Sequence, residues 1–405
     1  MEFKTNINRE NCVGCFACAQ ACKRKCISAE RDELGFLFPK FDASLCIDCG
    51  LCASVCPANG KSLSNISAHI VDKTYSAVSK DKRILKASSS GGAFSAIVSE
   101  FCDDDTLIFG AKFDEKFSAG IDCVKGVENI APFRGSKYIQ AYSTDSFKKA
   151  AEFLKGGSRV LYSGTPCQIA ALRLFLKKDY ENLLTVDVSC HGVASPKAFK
   201  KFIGALEKKF GKKIVRYSFR EKSRIFFKKN AKSSALEFAD GNRKVFFNDN
   251  FNKAYMQNIM LRESCYDCPF ASRKRYSDIS LADFWGIELI DEKLDMGSGV
   301  SLVTPNSPKG KSIVEKLDSR MNLQQREVEP SLRWNGGFNS PVKRNILRER
   351  MTEILKSEDS KFLSELKILT KTKTSAREKI VLILETVLPR PIFNFVKMAL
   401  CKIKK

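Results

Sequence analysis

The stretch "SRVLYSGTPCQIAALRLFLKKDYENLLTVDVSC" (residues 158–190) contains an apolar strand, an apolar-periodic helix and a second apolar strand. We expect the strands at 158–164 and 183–190 and the helix at 166–178, followed by another helix at 196–210. Two such strands need a crossover connection, so this β-α-β-α order predicts a parallel or mixed sheet. Functional groups are then expected at the carboxyl ends of the strands.

Cysteines mark both strand ends of this unit. Cys167 begins the helix and Cys190 follows the second strand, so the two thiols should emerge at one edge of the sheet. Cys265 and Cys268 form a C-x2-C knuckle that supplies two further thiols. Four thiolates suit a third 4Fe-4S cluster or a zinc ion. Alternatively, the helix dipole and His191 could activate Cys167 as a nucleophile.

The first sixty residues contain C-x2-C-x2-C-x3-C twice. In each copy three thiolates can hold three corners of a 4Fe-4S cube, while the fourth reaches the cube of the other copy. Structural zinc sites normally separate two C-x2-C knuckles by a dozen or more residues, which disfavours zinc here. The predicted ligands are Cys12, Cys15, Cys18 and Cys56 for one cluster and Cys46, Cys49, Cys52 and Cys22 for the other.

This segment resembles bacterial two-cluster ferredoxins with one departure. Pro57 follows the last cysteine of the second copy, but Lys23 stands at the equivalent place in the first. The substitution changes the turn after Cys22 and removes no ligand. We interpret Cys26 as a spare thiol.

The charge and the cysteine content of the chain indicate its cellular compartment and the class of its partners. The 405 residues include 69 Lys+Arg against 46 Asp+Glu, a formal charge of +23, which favours an acidic electron donor or acceptor. The first ten residues contain no apolar signal-peptide region, so the 16 cysteines are expected in a reducing cytoplasm, where metal binding is more common than disulfides. We see no apolar run long enough to predict a transmembrane helix.

Two further segments could hold an anion or a ring. The stretch at 88–102 begins with serines and with Gly91 and Gly92, and then continues as a predicted helix. The uncapped N-terminus of this helix could bind a phosphate or a flavin. Alternatively, a serine simply caps the helix. "RGSKYIQAY" (134–142) groups basic and aromatic side chains. The basic stretch 219–234 lacks a known nucleic-acid motif, so we expect a solvated loop there and no nucleic-acid partner.

Taken together, six ordered motifs resemble the coenzyme F420 hydrogenase/dehydrogenase beta-subunit family, from about residue 75 to about residue 305. The motifs are "SSGGAFSAI", "RGSKYIQ", "SGTPCQIAALRLFL", "SCHGVASP", "CYDCPF" and "SDISLADFWG". The resemblance implies a flavoprotein with FAD in the central domain and iron–sulfur clusters that exchange electrons with it. It makes Asp283 and Trp285 candidates for the pocket wall, and Ala282 departs from the glycine often found before "DFWG". The implied flavin contacts are Ser90, Gly91, Gly92, Lys137 and Tyr138, and the implied third-cluster ligands are Cys167, Cys190, Cys265 and Cys268.

The expected fold is therefore multidomain. A bacterial-ferredoxin-like domain (1–66) precedes a mixed α/β flavin-binding domain in two parts (67–150 and 151–330), and a basic helical tail (331–405) follows. Membrane-surface contact by the tail is one interpretation of its apolar runs and basic ends.

The expected function is that of an iron–sulfur flavoprotein oxidoreductase linked to ferredoxin-type clusters. A flavin exchanges one or two electrons, so it can connect one-electron clusters to a two-electron substrate. The resemblance leaves that substrate open between coenzyme F420 and another organic molecule. The alternative is a non-catalytic electron-transfer subunit that serves a separate enzyme, for example one of surface-polysaccharide biosynthesis.

Overall fold

The computed structural model describes residues 8–371, except 226–227, 248, 295–296 and 298; the side chains of 223–225 and 228–232 are also outside the description. The strands are β1 (Ile27–Arg31), β2 (Leu37–Phe41), β3 (His69–Ile70), β4 (Thr74–Ser79), β5 (Leu107–Phe113), β6 (Ala119–Lys125), β7 (Val160–Gly164), β8 (Leu183–Val188), β9 (Ile214–Ile225), β10 (Lys228–Phe238), β11 (Arg243–Phe247), β12 (Lys274–Arg275), β13 (Ile279–Asp283), β14 (Ser301–Pro305) and β15 (Met321–Arg326). The α-helices are α1 (Ala17–Ala21), α2 (Leu51–Ser54), α3 (Gly60–Leu63), α4 (Lys82–Ala87), α5 (Ala93–Phe101), α6 (Ser146–Lys155), α7 (Pro166–Leu176), α8 (Pro196–Phe210), α9 (Asn250–Met256), α10 (Pro308–Lys316), α11 (Val328–Leu332), α12 (Arg348–Lys356) and α13 (Asp359–Leu369).

An eight-stranded mixed sheet forms the body, in the order β15-β4-β14-β13-β8-β7-β5-β6. Its central pairs β13·β8, β8·β7 and β7·β5 are parallel, and the outer pairs are antiparallel. The predicted β-α-β unit is confirmed as β7, α7 and β8. Because Gly164 pairs with Asp187, the carboxyl ends of β7 and β8 lie side by side.

Both faces of this sheet are covered, which explains why its central strands are rich in buried apolar residues. Helices α5 and α10 contribute to the core on one face, with Leu161 and Leu184 from the strands. Helices α6 and α7 contribute to the core on the other face, with Val160 and Tyr162. A layered α/β arrangement of this kind rigidly positions the loops at the strand ends.

The N-terminal module is small and built on two cysteine loops. Each loop leads into a short helix, α1 or α2, and the hairpin β1–β2 lies between the two copies. Gly14 has a positive φ of 68°, and a Cβ there would lie 2.2 Å from Nε2 of Gln140. The first loop therefore approaches the body as closely as only glycine permits.

The basic stretch 219–234 is not the solvated loop that the sequence predicts. It forms most of β9 and β10, which pair with β11 in a three-stranded antiparallel sheet. Phe219 is buried in a core that also includes helices α8 and α9. The expectation is wrong because the abundant charges obscure the alternation of apolar residues that points one face inward.

The stretch after the ferredoxin domain and the C-terminal tail both contain helices. The serine-rich stretch near 60–68, which reads as a linker, contains α3, capped by the side chain of Asn59. Of the expected helical tail, α12 and α13 pack into the core through Met351 and Phe362. The segment 377–405, for which membrane contact is one interpretation and packing against the domain the simpler one, lies outside the described residues. Within the part of the chain that is described, no helix combines the length and apolarity needed to cross a membrane.

Candidate functional site

Four cysteines from three parts of the body face one cavity of about 330 Å³. Cys167 is the second residue of α7, and Cys190 follows β8 by two residues. Cys265 ends the short turn Glu263–Cys265, and Cys268 comes three residues later. We call these the four-cysteine group.

Burial dominates the electrostatics of this group. It raises the pKa of Cys167 to about 12, with further contributions from Cys268 and Cys265, and the pKa of Cys265 to about 11. The pKa values of Cys190 and Cys268 are raised for the same reason. The expected activation of Cys167 by the helix dipole is therefore outweighed. Without a compensating positive charge, the four thiols stay protonated at neutral pH.

Two buried arginines flank the four-cysteine group. The charge of Arg262 acts on Cys265, whose backbone N–H also donates to the Arg262 carbonyl over 3.0 Å. Burial lowers the pKa of Arg275, which Asp187, Cys190 and Cys268 partly restore. Arg262 and Arg275 are 1% and 0% exposed, and each keeps one guanidinium nitrogen, Nη2 and Nε respectively, without a hydrogen-bond partner. In the described structure neither forms an ion pair with a carboxylate.

These observations test whether the group fits an iron–sulfur cluster. A buried cation without an anion is costly, and four thiolates around a 4Fe-4S cube carry net negative charge. The donor set and the unpaired guanidinium nitrogens therefore fit such a cluster. Among the described residues, no three His, Cys, Asp or Glu side chains are arranged to hold a single metal ion.

The structure brings the ferredoxin cysteines together in two groups. In the first, Cys12, Cys18 and Cys56 all raise the pKa of buried Cys15, after burial itself. Cys56 thus crosses from the second copy to the ligands of the first. In the second group, Cys52 interacts with Cys46 and Cys49. Cys22 is linked to it through Cys26, which interacts with both Cys22 and Cys46.

Arg262 also connects the ferredoxin module to the body. Its Nε donates to the carbonyl of Cys12 over 2.7 Å, and its Nη1 donates to the carbonyl of Leu37 over 3.0 Å. The guanidinium lies over the Phe38 ring, 3.9 Å from its centroid. One residue therefore joins a first-group cysteine to the turn that holds Cys265.

The same cavity is also lined by the segments predicted to bind flavin. Ser90, Gly92, Lys137 and Tyr138 all line the cavity. Helix α5 begins there at Gly92, with no side-chain cap on its N-terminus. Unpaired N–H groups and the helix dipole make this end favourable for an anion.

Gly91 has a different role from its neighbours, since it is not among the lining residues. Its N–H donates to the Ser301 hydroxyl over 2.9 Å, and a Cβ would lie 2.1 Å from the carbonyl oxygen of Ala77. The glycine is needed for contact between this loop and the sheet. The sequence pattern could not separate this packing role from a ligand contact.

Lys137 is a half-buried amine that lines the same cavity. Its Nζ donates to the carbonyls of Pro132 and Arg134 over 2.8 and 3.1 Å. Burial, helped by the charge of Arg216, lowers the pKa of Lys137 to about 7. Arg134 lies beside it and donates from Nε to the hydroxyl of Ser95 in the first turn of α5.

A buried ion pair that the sequence did not indicate forms the next part of the wall. Nη1 of Arg220, from β9, lies 2.5 Å from the Asp283 carboxylate and 3.4 Å from the Tyr138 hydroxyl. Asp283 lines the cavity, whereas Trp285 is not among the lining residues. The Trp285 ring instead contacts the Arg220 guanidinium that pairs with Asp283. Oδ1 of Asp283 is buried and without a hydrogen bond.

His191 is turned toward other partners than Cys167. Its Nε2 lies 2.7 Å from Oδ1 of Asn258, and its ring meets Tyr255 edge-on. Burial lowers its pKa. The nucleophile interpretation needs a base bonded to the thiol, whereas the Cys167 sulfur has the Thr165 hydroxyl as its neighbour at 3.2 Å.

The fold and its cysteine groups define an iron–sulfur protein in which a ferredoxin-like module is joined to a mixed α/β body. Residues 4–60 match the model of the 4Fe-4S dicluster domain, and residues 157–331 match the model for the C terminus of the coenzyme F420 hydrogenase/dehydrogenase beta subunit. Residues 157–331 therefore carry the C-terminal part of the coenzyme F420 hydrogenase/dehydrogenase beta-subunit family, and residues 4–60 carry a two-cluster ferredoxin domain. It is an electron-transfer protein of the oxidoreductase class.

One of the similar solved structures is only distantly similar to this chain in sequence. The chain is 18% identical to a chain of the xenon-derivatised F420-reducing NiFe hydrogenase complex from Methanosarcina barkeri, over 74% of this chain and 92% of that one, with a TM-score of 0.43. No curated protein matches the sequence.

Gly91→Ala should destabilise the protein by about 2 kcal/mol, because the added methyl group is forced against the backbone of β4. Gly60→Ala is the matched control, since nothing lies within 4 Å of its Cβ position. Thermal unfolding under anaerobic conditions should show a lower midpoint for the first variant only. Equal midpoints would contradict the packing role of Gly91.

Proposed function

We propose that this protein is a flavin-dependent oxidoreductase in which the ferredoxin clusters, a third 4Fe-4S cluster and FAD form one electron path. The third cluster is held by the four-cysteine group, and FAD occupies the cavity beside it. The observation that carries the proposal is that four half-buried cysteines and the open N-terminus of α5 face the same cavity.

The contact between module and body supports the order of this path. Val13 and Gly14, between the first two ferredoxin cysteines, line the cavity together with Cys265. Arg262 binds the Cys12 carbonyl and lies next to Cys265. The cluster of Cys12, Cys15, Cys18 and Cys56 is thus the one adjacent to the third cluster.

The cavity wall offers roles for its own residues toward FAD. The N-terminus of α5, Arg134 and Lys137 would hold the anionic pyrophosphate. Tyr138, stacked on Tyr255 at 4.7 Å, gives the wall a flat apolar surface against which a ring can lie. When bound, FAD would exchange single electrons with clusters and two electrons with an organic molecule.

Coenzyme F420 or another organic two-electron molecule is the proposed substrate, and an acidic carrier such as ferredoxin is the proposed one-electron partner. Each oxidised cluster with its four thiolates adds roughly −2, which leaves the +23 of the chain largely uncompensated. A screen of candidate acceptors against the anaerobically reduced protein tests catalysis. If the clusters reduce the flavin but no small molecule reoxidises it without a second protein, the chain is an electron-transfer subunit for another enzyme.

Cys167→Ala should remove roughly four of about twelve irons, because one corner of the third cluster is lost. Iron analysis and EPR spectroscopy should show that the two ferredoxin clusters remain. Electron transfer from the ferredoxin clusters to the flavin should stop. Cys123→Ala, which changes a cysteine outside the three groups, should keep the full iron content. A Cys167 variant with full iron content would refute the third cluster.

Binding of FAD should strengthen as the pH falls through about 7, because Lys137 gains its proton there and attracts the pyrophosphate. Flavin binding to the flavin-depleted protein, followed by fluorescence, measures this dependence. Lys137→Met should bind weakly at every pH, and Lys137→Arg, which stays charged, should bind without this pH dependence. A wild-type pH profile that matches the Met variant would exclude Lys137 from the site.

Arg262→Gln should lower the reduction potentials of the third cluster and of the first ferredoxin cluster. Removing one charge at about 6 Å changes a one-electron potential by on the order of 100 mV at an effective dielectric constant of about 20. Potentiometric titration followed by EPR measures both. Arg262→Lys should largely restore them, and Arg326→Gln, which removes a mostly buried arginine paired with Asp291, should change neither. Unchanged potentials in Arg262→Gln would count against the bridging role.

A further inference from the structure

Cys26, the cysteine beyond the first ferredoxin motif, is placed among the ligands of the second group. Its sulfur lies 3.2 Å from the sulfur of Cys22. Its side chain also reaches Cys46. Cys26 is 5% exposed and Cys22 is half-buried, so this contact is partly shielded from water. Since Cys22 and Cys46 are ligands of the same proposed cluster, Cys26 faces that cluster as well.

The chain between Cys22 and Cys26 explains this placement. Although Lys23 occupies the position where Pro57 stands in the second copy, both turns close in the same way: the N–H of Asn59, with an extended φ of −91°, donates to the Cys56 carbonyl over 3.1 Å. The N–H of Lys25 donates to the Cys22 carbonyl over 3.2 Å, and Lys25 adopts a left-handed φ of 54°. A left-handed residue other than glycine costs roughly 1 kcal/mol, and here it turns Cys26 back toward Cys22.

A second contact fixes Cys26 against the other copy. Its carbonyl accepts the N–H of Asp42 over 2.8 Å. Asp42 caps the turn Ala43–Leu45, which leads directly into Cys46. The position of Cys26 is therefore set from both sides, by the turn after Cys22 and by the segment that precedes Cys46.

The second copy contains no equivalent thiol. Four residues after Cys56, where Cys26 follows Cys22, the chain has Gly60. Gly60 is the first residue of α3, and no side chain fills the space near it. Two otherwise matching repeats thus differ in having a fifth thiol at one cluster and none at the other.

We propose that the second ferredoxin cluster has two thiols for its fourth corner, and that Cys26 ligates the iron when Cys22 is lost. The proposal rests on the second cluster of the proposed function. In the exchange the Fe–S bond to Cys22 is absent and one to Cys26 forms, the Cys26 proton passes to water, and no oxidation state changes. With Cys22 in place, Cys26 is a hydrogen-bond neighbour of the ligand sulfur.

The test compares iron content and EPR spectra of the full-length protein, purified anaerobically, in four variants. Cys22→Ala should keep its full iron content and show an altered signal from the second cluster. Cys26→Ala should keep all its iron. The double variant Cys22→Ala/Cys26→Ala should lose roughly four irons. Cys56→Ala, which lacks a reserve thiol, should also lose roughly four.

Comparing the iron content of a Cys22 variant with that of its double variant decides whether Cys26 can replace Cys22 as a ligand. If Cys22→Ala loses as much iron as the double variant, Cys26 is a core thiol only and the proposal is overturned. If Cys22→Ala is insoluble, Cys22→Ser with and without Cys26→Ala gives the same comparison. A wild-type protein without the irons of two ferredoxin clusters would instead overturn the proposed function, which separates the two failures.

Discussion

Four half-buried thiols at the cavity lie beside two buried guanidinium groups, and neither set is stable in its charged form alone. Burial raises the pKa of every thiol in the four-cysteine group. Arg262 and Arg275 each keep an unpaired buried nitrogen beside that group. A low dielectric makes an uncompensated charge costly and a matched pair strong. In the proposed function, an anionic third cluster and the two cations would stabilise one another.

This constraint accounts for the way in which distant parts of the chain meet. The parallel register of β7 and β8 brings Cys167 and Cys190 to one edge, and the Cys265–Cys268 knuckle closes over them. Arg262, three residues before the knuckle, then reaches across to the Cys12 carbonyl. The same side chain thus lies beside the proposed third site and supplies one of the contacts between the ferredoxin module and the body.

The sequence predicts those features that depend on local periodicity or fixed spacing. The β-α-β unit follows from apolar runs and the paired ferredoxin motifs from cysteine spacing, and both arise from interactions over a few residues. The roles of Arg262, Arg275 and Arg220 were missed, because an arginine in a basic chain looks exposed until the fold removes water from it. The glycines at 91 and 92 show the same limit. Gly91 packs against the backbone of a strand, whereas Gly92 adopts a positive φ of 91° and lines the cavity.

The two ferredoxin repeats are nearly equivalent in sequence but not in their surroundings. Cys15 of the first group packs into the core that contains Tyr162, so this group is enclosed by the body. In the second group Cys49 is exposed, and the neighbouring Ile47 is 63% exposed. A docking protein can approach the second cluster closely, whereas the first is reached through the protein. If both clusters belong to one path, external electrons enter or leave at the second, and the first connects it to the cavity. The folded environment, and not the repeated motif, gives the path its direction in space.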